Sequence, residues 1–97
     1  MIKDTTKSSN DTSFYDDTVR TSFTILRAVL GKPEIVQDGK VAFEWTKEID
    51  GKVFTVYDWK EEYFFDDDFI DWHIGAITPE TSNKAKAKLE ELVLKVK

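Results

Sequence analysis

The spacing of apolar residues switches between two periods along this chain, and glycine or proline punctuates each switch. Phe23, Leu26, Val29 and Leu30 fall on one face at helical spacing. Thr21 or Ser22 is placed to cap the first turn by accepting an orphan N–H, Gly31 tolerates the left-handed conformation after the last turn, and Pro33 prevents continuation. A helix of roughly ten residues is expected there. The same period returns near the C-terminus, where Ala85, Leu89, Leu92, Val93 and Val96 form a stripe with Lys84, Lys86, Lys88, Glu90 and Glu91 away from it. Thr78 before Pro79, or Ser82 a turn later, can cap that second helix.

Between the helices the period is two. Asp38-Gly39 and Asp50-Gly51 supply the positive φ angles of type I′ turns, so EIVQ, KVAFEWTKEI and KVFTVYDWK read as a three-stranded antiparallel meander. If Ile49 pairs with Lys52 across the second turn, Trp45 faces Val56, Glu44 faces Tyr57, Phe43 faces Asp58 and Ala42 faces Trp59. One sheet face then carries Val41, Phe43, Trp45, Phe54 and Val56, which makes it the core face. The other carries Ala42, Glu44, Thr46, Glu48, Thr55, Tyr57 and Trp59. A slip by one residue would bury Glu44 and Glu48 at a cost of several kcal/mol, so the register is well specified.

The remaining segments are less regular. TSFYDDTVR, residues 12 to 20, has β-branched and aromatic residues without clean alternation and reads as a short edge strand; DWHIG, residues 71 to 75, is long enough for one more strand at an edge. Residues 1 to 11, MIKDTTKSSND, read as a disordered tail before a single domain spanning 12 to 97. These elements predict an α+β fold: a two-layer sandwich in which an antiparallel meander of three to five strands carries two helices on its Trp45 face. The Tyr57 face is left toward solvent or a partner.

A chain of 97 residues is one domain's worth, able to bury roughly 60 to 65% of its unfolded surface. There is no cysteine, which excludes disulfides, thiolate catalysis and Cys-ligated metal, and fits a reducing compartment. Residues 1 to 20 lack an apolar run, and no window approaches the ~18 apolar residues of a membrane span, so neither a signal peptide nor membrane insertion is expected.

Charge sharpens the picture when it is divided along the chain. The net −5 splits into −1 over residues 1 to 60, −6 over 61 to 71 and +2 over 72 to 97. All the excess acidity lies in EEYFFDDDFIDW, residues 61 to 72, which interleaves six carboxylates with five aromatic rings and has no Lys or Arg. An acidic balance argues against direct nucleic-acid or anionic-membrane binding, which draws on basic patches. The plain reading of the loop is a solvated, solubilising charge run. Solubility gives no reason for Tyr63, Phe64, Phe65 and Phe69, however. Phe64 or Phe65, with Phe69, is expected to cap the open end of the core. The other rings, with Tyr57 and Trp59, form a candidate protein-binding surface rimmed by Glu61, Glu62, Asp66, Asp67, Asp68 and Asp71, where rings provide anchoring area and charge steers a basic partner.

Other chemistry is weaker. His73 is the only histidine. Asp71 shares its strand face and Asp58 or Asp68 can approach, but no Ser or Thr sits in a nucleophile-elbow setting, so a structural role is expected and no enzyme. The carboxylates of 61 to 71 lack the alternate spacing, turn glycine and terminal Glu of a calcium loop, so neither metal nor cofactor is expected.

The order of segments also resembles a widespread group of small proteins encoded by bacteriophages and other viruses, for which no activity or catalytic residues are assigned. The matching positions are Gly31 and Pro33, Lys40, Val41, Glu44 and Trp45, then Tyr57, Asp58, Trp59 and Lys60, then Trp72, His73, Ile74 and Gly75. Where that group commonly has a second glycine, this chain has Ala76. The resemblance covers residues 12 to 97 and implies a viral accessory protein acting in host cytoplasm. Together these readings lead to an expected function: a non-catalytic protein that binds and inhibits a host protein with a basic surface, in counter-defence, by an acidic surface resembling that of a DNA mimic. A second expectation is a sequestering protein for a nucleotide-like signal, held in an aromatic pocket within a monomer or at a homo-oligomer interface. It requires Lys40, Lys60, Arg20, Arg27 or the Lys84, Lys86, Lys88 row to surround a pocket lined by Trp59 or Trp72. A weak cation-binding or purely structural domain is a third.

Overall fold

A computed structural model describes residues 2–36, 39–61 and 64–96. Six strands and two helices follow one another as β1 (Ile2–Asp4), β2 (Ser13–Thr21), α1 (Phe23–Leu30), β3 (Glu34–Ile35), β4 (Phe43–Ile49), β5 (Lys52–Tyr57), β6 (Ile70–Ala76) and α2 (Pro79–Val96). The sheet is antiparallel throughout, in the order β1-β4-β5-β6-β2, with β3 also paired to β4. Both helices pack on one face, so the molecule is an open α+β sandwich.

The hairpin register is the one required by the alternation: Ile49 pairs with Lys52, Trp45 with Val56 and Glu44 with Tyr57. Trp45, Phe54, Val56, Trp72, Ile74 and Val19 accordingly share the helix side with Phe23, Leu26 and Leu30 of α1 and Ala85, Leu89 and Val93 of α2. Trp45 and Trp72 meet edge-on at 5.5 Å in its centre. Their indole N–H groups donate to the carbonyls of Gly31 and Thr21, so both rings are buried without an orphan donor.

The helix ends follow local rules. The Ser22 hydroxyl accepts from the Ile25 N–H, Gly31 takes a φ of 88° as its N–H reaches the Arg27 carbonyl, and Thr78 accepts from the Thr81 N–H ahead of Pro79.

Three expectations need correction. β6 is not an edge strand: β2, nine residues long, pairs along its far side and forms the edge itself. Alternation in β2 was obscured by an irregularity between Phe14 and Thr18, where Asp16 adopts a φ of 66° and two extra residues enter the strand. The stretch read as a disordered tail contains strand β1, paired to Lys47–Ile49. From that edge, residues 5 to 12 cross the helix-free face to reach β2 at the opposite edge; on the way Lys7 reaches the Gly51 carbonyl and the Glu48 carboxylate. This crossing explains why Val53 and Thr55 are only 3% and 2% exposed on the face away from the helices. Finally, the first hairpin is wider than a two-residue turn. The Val36 N–H donates to the Ala42 carbonyl, enclosing residues 37 to 41, and Asp38 lies outside the described residues.

Candidate functional site

The two conspicuous surfaces both grow from the end of the sheet where β5 leaves and β6 begins. Asp58 sets that end. Its backbone would continue the ladder opposite Phe43, but the side chain takes over: its carboxylate accepts from the N–H groups of Ala42, at 3.0 Å, and Phe43, at 2.9 Å. At 1% exposure it is a buried structural acceptor on the helix side. It therefore does not approach His73, which occupies the opposite face.

Released from pairing, the chain turns sharply. Lys60 adopts a left-handed φ of 58°, and its N–H donates to the Lys40 carbonyl at 2.8 Å. The acidic loop follows. Glu62 and Tyr63, expected at the binding surface, lie outside the described residues. Phe64 points inward, edge-on to Trp72 at 5.7 Å and to Phe43 at 6.4 Å, closing the open end of the core. Phe65 and Phe69 point outward, 64% and 45% exposed, so Phe69 does not act as the expected core lid.

Between those two rings Asp66 and Asp67 occupy the tip of a tight turn. The Asp68 N–H donates to the Phe65 carbonyl, and the Asp68 carboxylate accepts in return from the Phe65 N–H. The turn is fastened to α1 because the Asp66 carbonyl accepts from both the N–H and the hydroxyl of Thr24. One orphan donor of the helix start is thereby satisfied, and acidic residues come to the positive end of a helix whose own first turn holds none.

The second surface lies on the helix-free side, where the pleat sets Tyr57, His73 and Thr18 in one cross-strand row. The irregularity in β2 carries Phe14 opposite Gly75 and stacks its ring on His73, centroids 4.2 Å apart and planes within 16°. A side chain at Gly75 would meet the Thr55 hydroxyl at 2.6 Å, so only glycine leaves this floor flat. Tyr57 and Trp59 complete a cleft of about 240 Å³ lined by Phe14, Tyr57, Trp59 and His73. The ammonium groups of Lys40 and Lys60 each lie 5.7 Å from the Trp59 ring centre.

Carboxylates border the same cleft. Burial lowers the His73 pKa, while Asp71 and Glu61 act in the opposite sense. Burial also raises that of Tyr57, with the Glu44 charge adding to the effect. Asp71 itself is paired with Arg20 at 3.3 Å.

The expected site residues thus divide. Tyr57, Trp59, Glu61 and Asp71 gather around the cleft, whereas Asp66, Asp67 and Asp68 belong to the turn on α1. Phe14 and His73 were missed as cleft residues: the β2 irregularity hid which way Phe14 faces, and His73 as an isolated imidazole gave no signal. Of the expected cationic side chains, Lys40 and Lys60 are at the cleft and Arg20 stands at its border. Lys86 and Lys88 instead bond Glu90 and Glu91 along their own helix, and Lys84 bonds Asp50.

A larger cavity of about 480 Å³ lies between the crossing segment and β4, lined mainly by Thr5, Thr6, Ser8, Ser9 and lysines. Two of those lysines, Lys7 and Lys47, are held by Glu48 and Asp4. Among the described residues no group of three or more His, Asp or Glu is placed to hold a metal ion, and no helix is long and apolar enough to cross a membrane. Compared with protein families, curated proteins and solved structures, the chain matches none.

Proposed function

We propose that this is a non-catalytic viral accessory protein that binds and inhibits a host protein with a basic surface, in the host cytoplasm. Its contact site is the turn carrying Phe65, Asp66, Asp67, Asp68 and Phe69. The observation that carries this reading is that Phe65 and Phe69 stand exposed on either side of three carboxylates, on a turn already fixed by hydrogen bonds to α1. Exposed rings flanking the carboxylates provide anchoring area while the charge steers a basic partner, and a pre-ordered turn lowers the entropy lost on binding. The resemblance to small phage proteins supports a host protein as the target.

The test compares proteins captured from a bacterial lysate by the wild-type chain and by a Phe65→Ser/Phe69→Ser variant that retains its fold by circular dichroism. The expected result is a basic protein held by the first and lost by the second, competed by free wild-type chain. Identical captured sets would refute the reading.

A second reading, sequestration of a nucleotide-like small molecule, is favoured by the placement of Lys40 and Lys60 beside Trp59.

A further inference from the structure

Resting on the second reading above, we propose that the cleft of Phe14, Tyr57, Trp59 and His73 is a binding site separate from the acidic turn. Its ligand is a mononucleotide: a planar heteroaromatic base with an amino donor, carrying a phosphate. Four observations converge on that chemistry. The walls are rings, and a planar π-system is the occupant that recovers most contact area from ring walls. The volume, about 240 Å³, falls below the ~300 Å³ at which drug-sized pockets begin, so a single base is enough to fill it.

Cations are built in at one side. Lys60 is held in a left-handed conformation uncommon for a residue with a Cβ, and its N–H ties it to the Lys40 carbonyl, so both ammonium groups are carried to the same indole. A phosphate there gains charge-assisted hydrogen bonds from two lysines. Acceptors stand near the rings as well. Glu44 pairs across from Tyr57, Asp71 lies two residues from His73 on the same face of β6, and these carboxylates suit the exocyclic amine of adenine, cytosine or guanine. The same carboxylates oppose a continuous phosphate backbone and so select a single nucleotide over a strand.

The chain provides its own reporter. Trp45 and Trp72 are buried with their indoles hydrogen-bonded, whereas Trp59 is 39% exposed at the cleft, so ligand-induced fluorescence quenching reads Trp59. The full chain is titrated with AMP, GMP, CMP and UMP, with the matching nucleosides, and with a ten-residue oligothymidylate.

Saturable quenching by at least one amino-bearing monophosphate is expected, about tenfold or more tighter than by its nucleoside or by UMP, since a single charge-assisted bond is worth about that factor. Lys40→Gln/Lys60→Gln should bring monophosphate and nucleoside to equal affinity, and Tyr57→Ala should weaken both. Asp66→Asn/Asp67→Asn/Asp68→Asn should leave nucleotide affinity unchanged, which keeps this site distinct from the acidic turn. Unmoved Trp45 and Trp72 indole NMR signals verify folding; if the double variant shifts them, exposed Lys60→Gln alone takes its place. The proposal is overturned if no monophosphate quenches saturably at millimolar concentration. It is equally overturned if wild type binds nucleoside and monophosphate alike, or if oligothymidylate binds tighter than any mononucleotide.

Discussion

At the scale of single residues, the two most informative side chains are those whose chemistry departs from their strand's pattern. Asp58 is an acid on an otherwise apolar face, and its carboxylate replaces two ladder acceptors for Ala42 and Phe43. Asp58→Ala would leave those N–H groups without acceptors at the mouth of the core, at a cost of about 3 kcal/mol, whereas Asp58→Asn keeps an acceptor oxygen and should cost about 1 kcal/mol. Urea unfolding of the two variants separates them; equal midpoints would mean the carboxylate is not what closes the sheet end. His73 makes a different prediction. Its pKa is lowered below 6.5 chiefly by burial against the rings, so the unfolded chain binds the proton more readily. The sign follows: stability attributable to His73 is complete above about pH 6.5 and declines as pH falls from there through the lowered folded-state value. Titrating the imidazole by NMR should give a midpoint below 6.5, and His73→Gln should flatten the decline in urea midpoint across that window.

Among the elements, those whose signals are local were legible in the chain and those set by distant partners were not. The β4–β5 register could be read because Asp50-Gly51 fixes the turn and a slip would bury glutamates, and the caps of α1 and α2 could be read from Ser22, Gly31, Thr78 and Pro79. β1 carries three residues of which Lys3 and Asp4 are polar, and nothing in them announces the β4 edge that completes their hydrogen bonds. The cleft was half legible for the same reason: Tyr57 and Trp59 follow from hairpin register, but Phe14 arrives through an irregularity that breaks the period. The role of the crossing segment is open to measurement. A chain lacking residues 1 to 11 should lose about 2 kcal/mol, the worth of re-exposing a buried valine such as Val53 together with an unpaired β4 edge. A urea midpoint unchanged by the truncation would show that the segment behaves as a tail.

For the whole molecule, topology and charge act together. A single helical layer leaves the opposite sheet face for the crossing segment and the aromatic cleft, and the long connection from β5 to β6 must emerge at one end, where it carries Asp66, Asp67 and Asp68 to the start of α1. The charge is thus positioned by the connection that the sheet order requires, and its turn is held by the Asp66 carbonyl, which accepts from the Thr24 N–H and hydroxyl, and by the Asp68 side-chain bond within the turn. Asp66→Asn/Asp67→Asn/Asp68→Asn retains the Asp66 carbonyl and an oxygen acceptor at position 68, so thermal stability should change by less than about 1 kcal/mol. The variant moves the net charge from −5 to −2, and at low ionic strength association with a basic partner should slow by about tenfold or more. Above roughly 0.5 M salt, where the Debye length is only a few ångströms, the wild-type and variant rates should converge. Stopped-flow association at both salt concentrations distinguishes the outcomes. A rate gap that persists at high salt would assign the effect to local contact geometry, and no gap at low salt would remove the acidic turn from partner recognition.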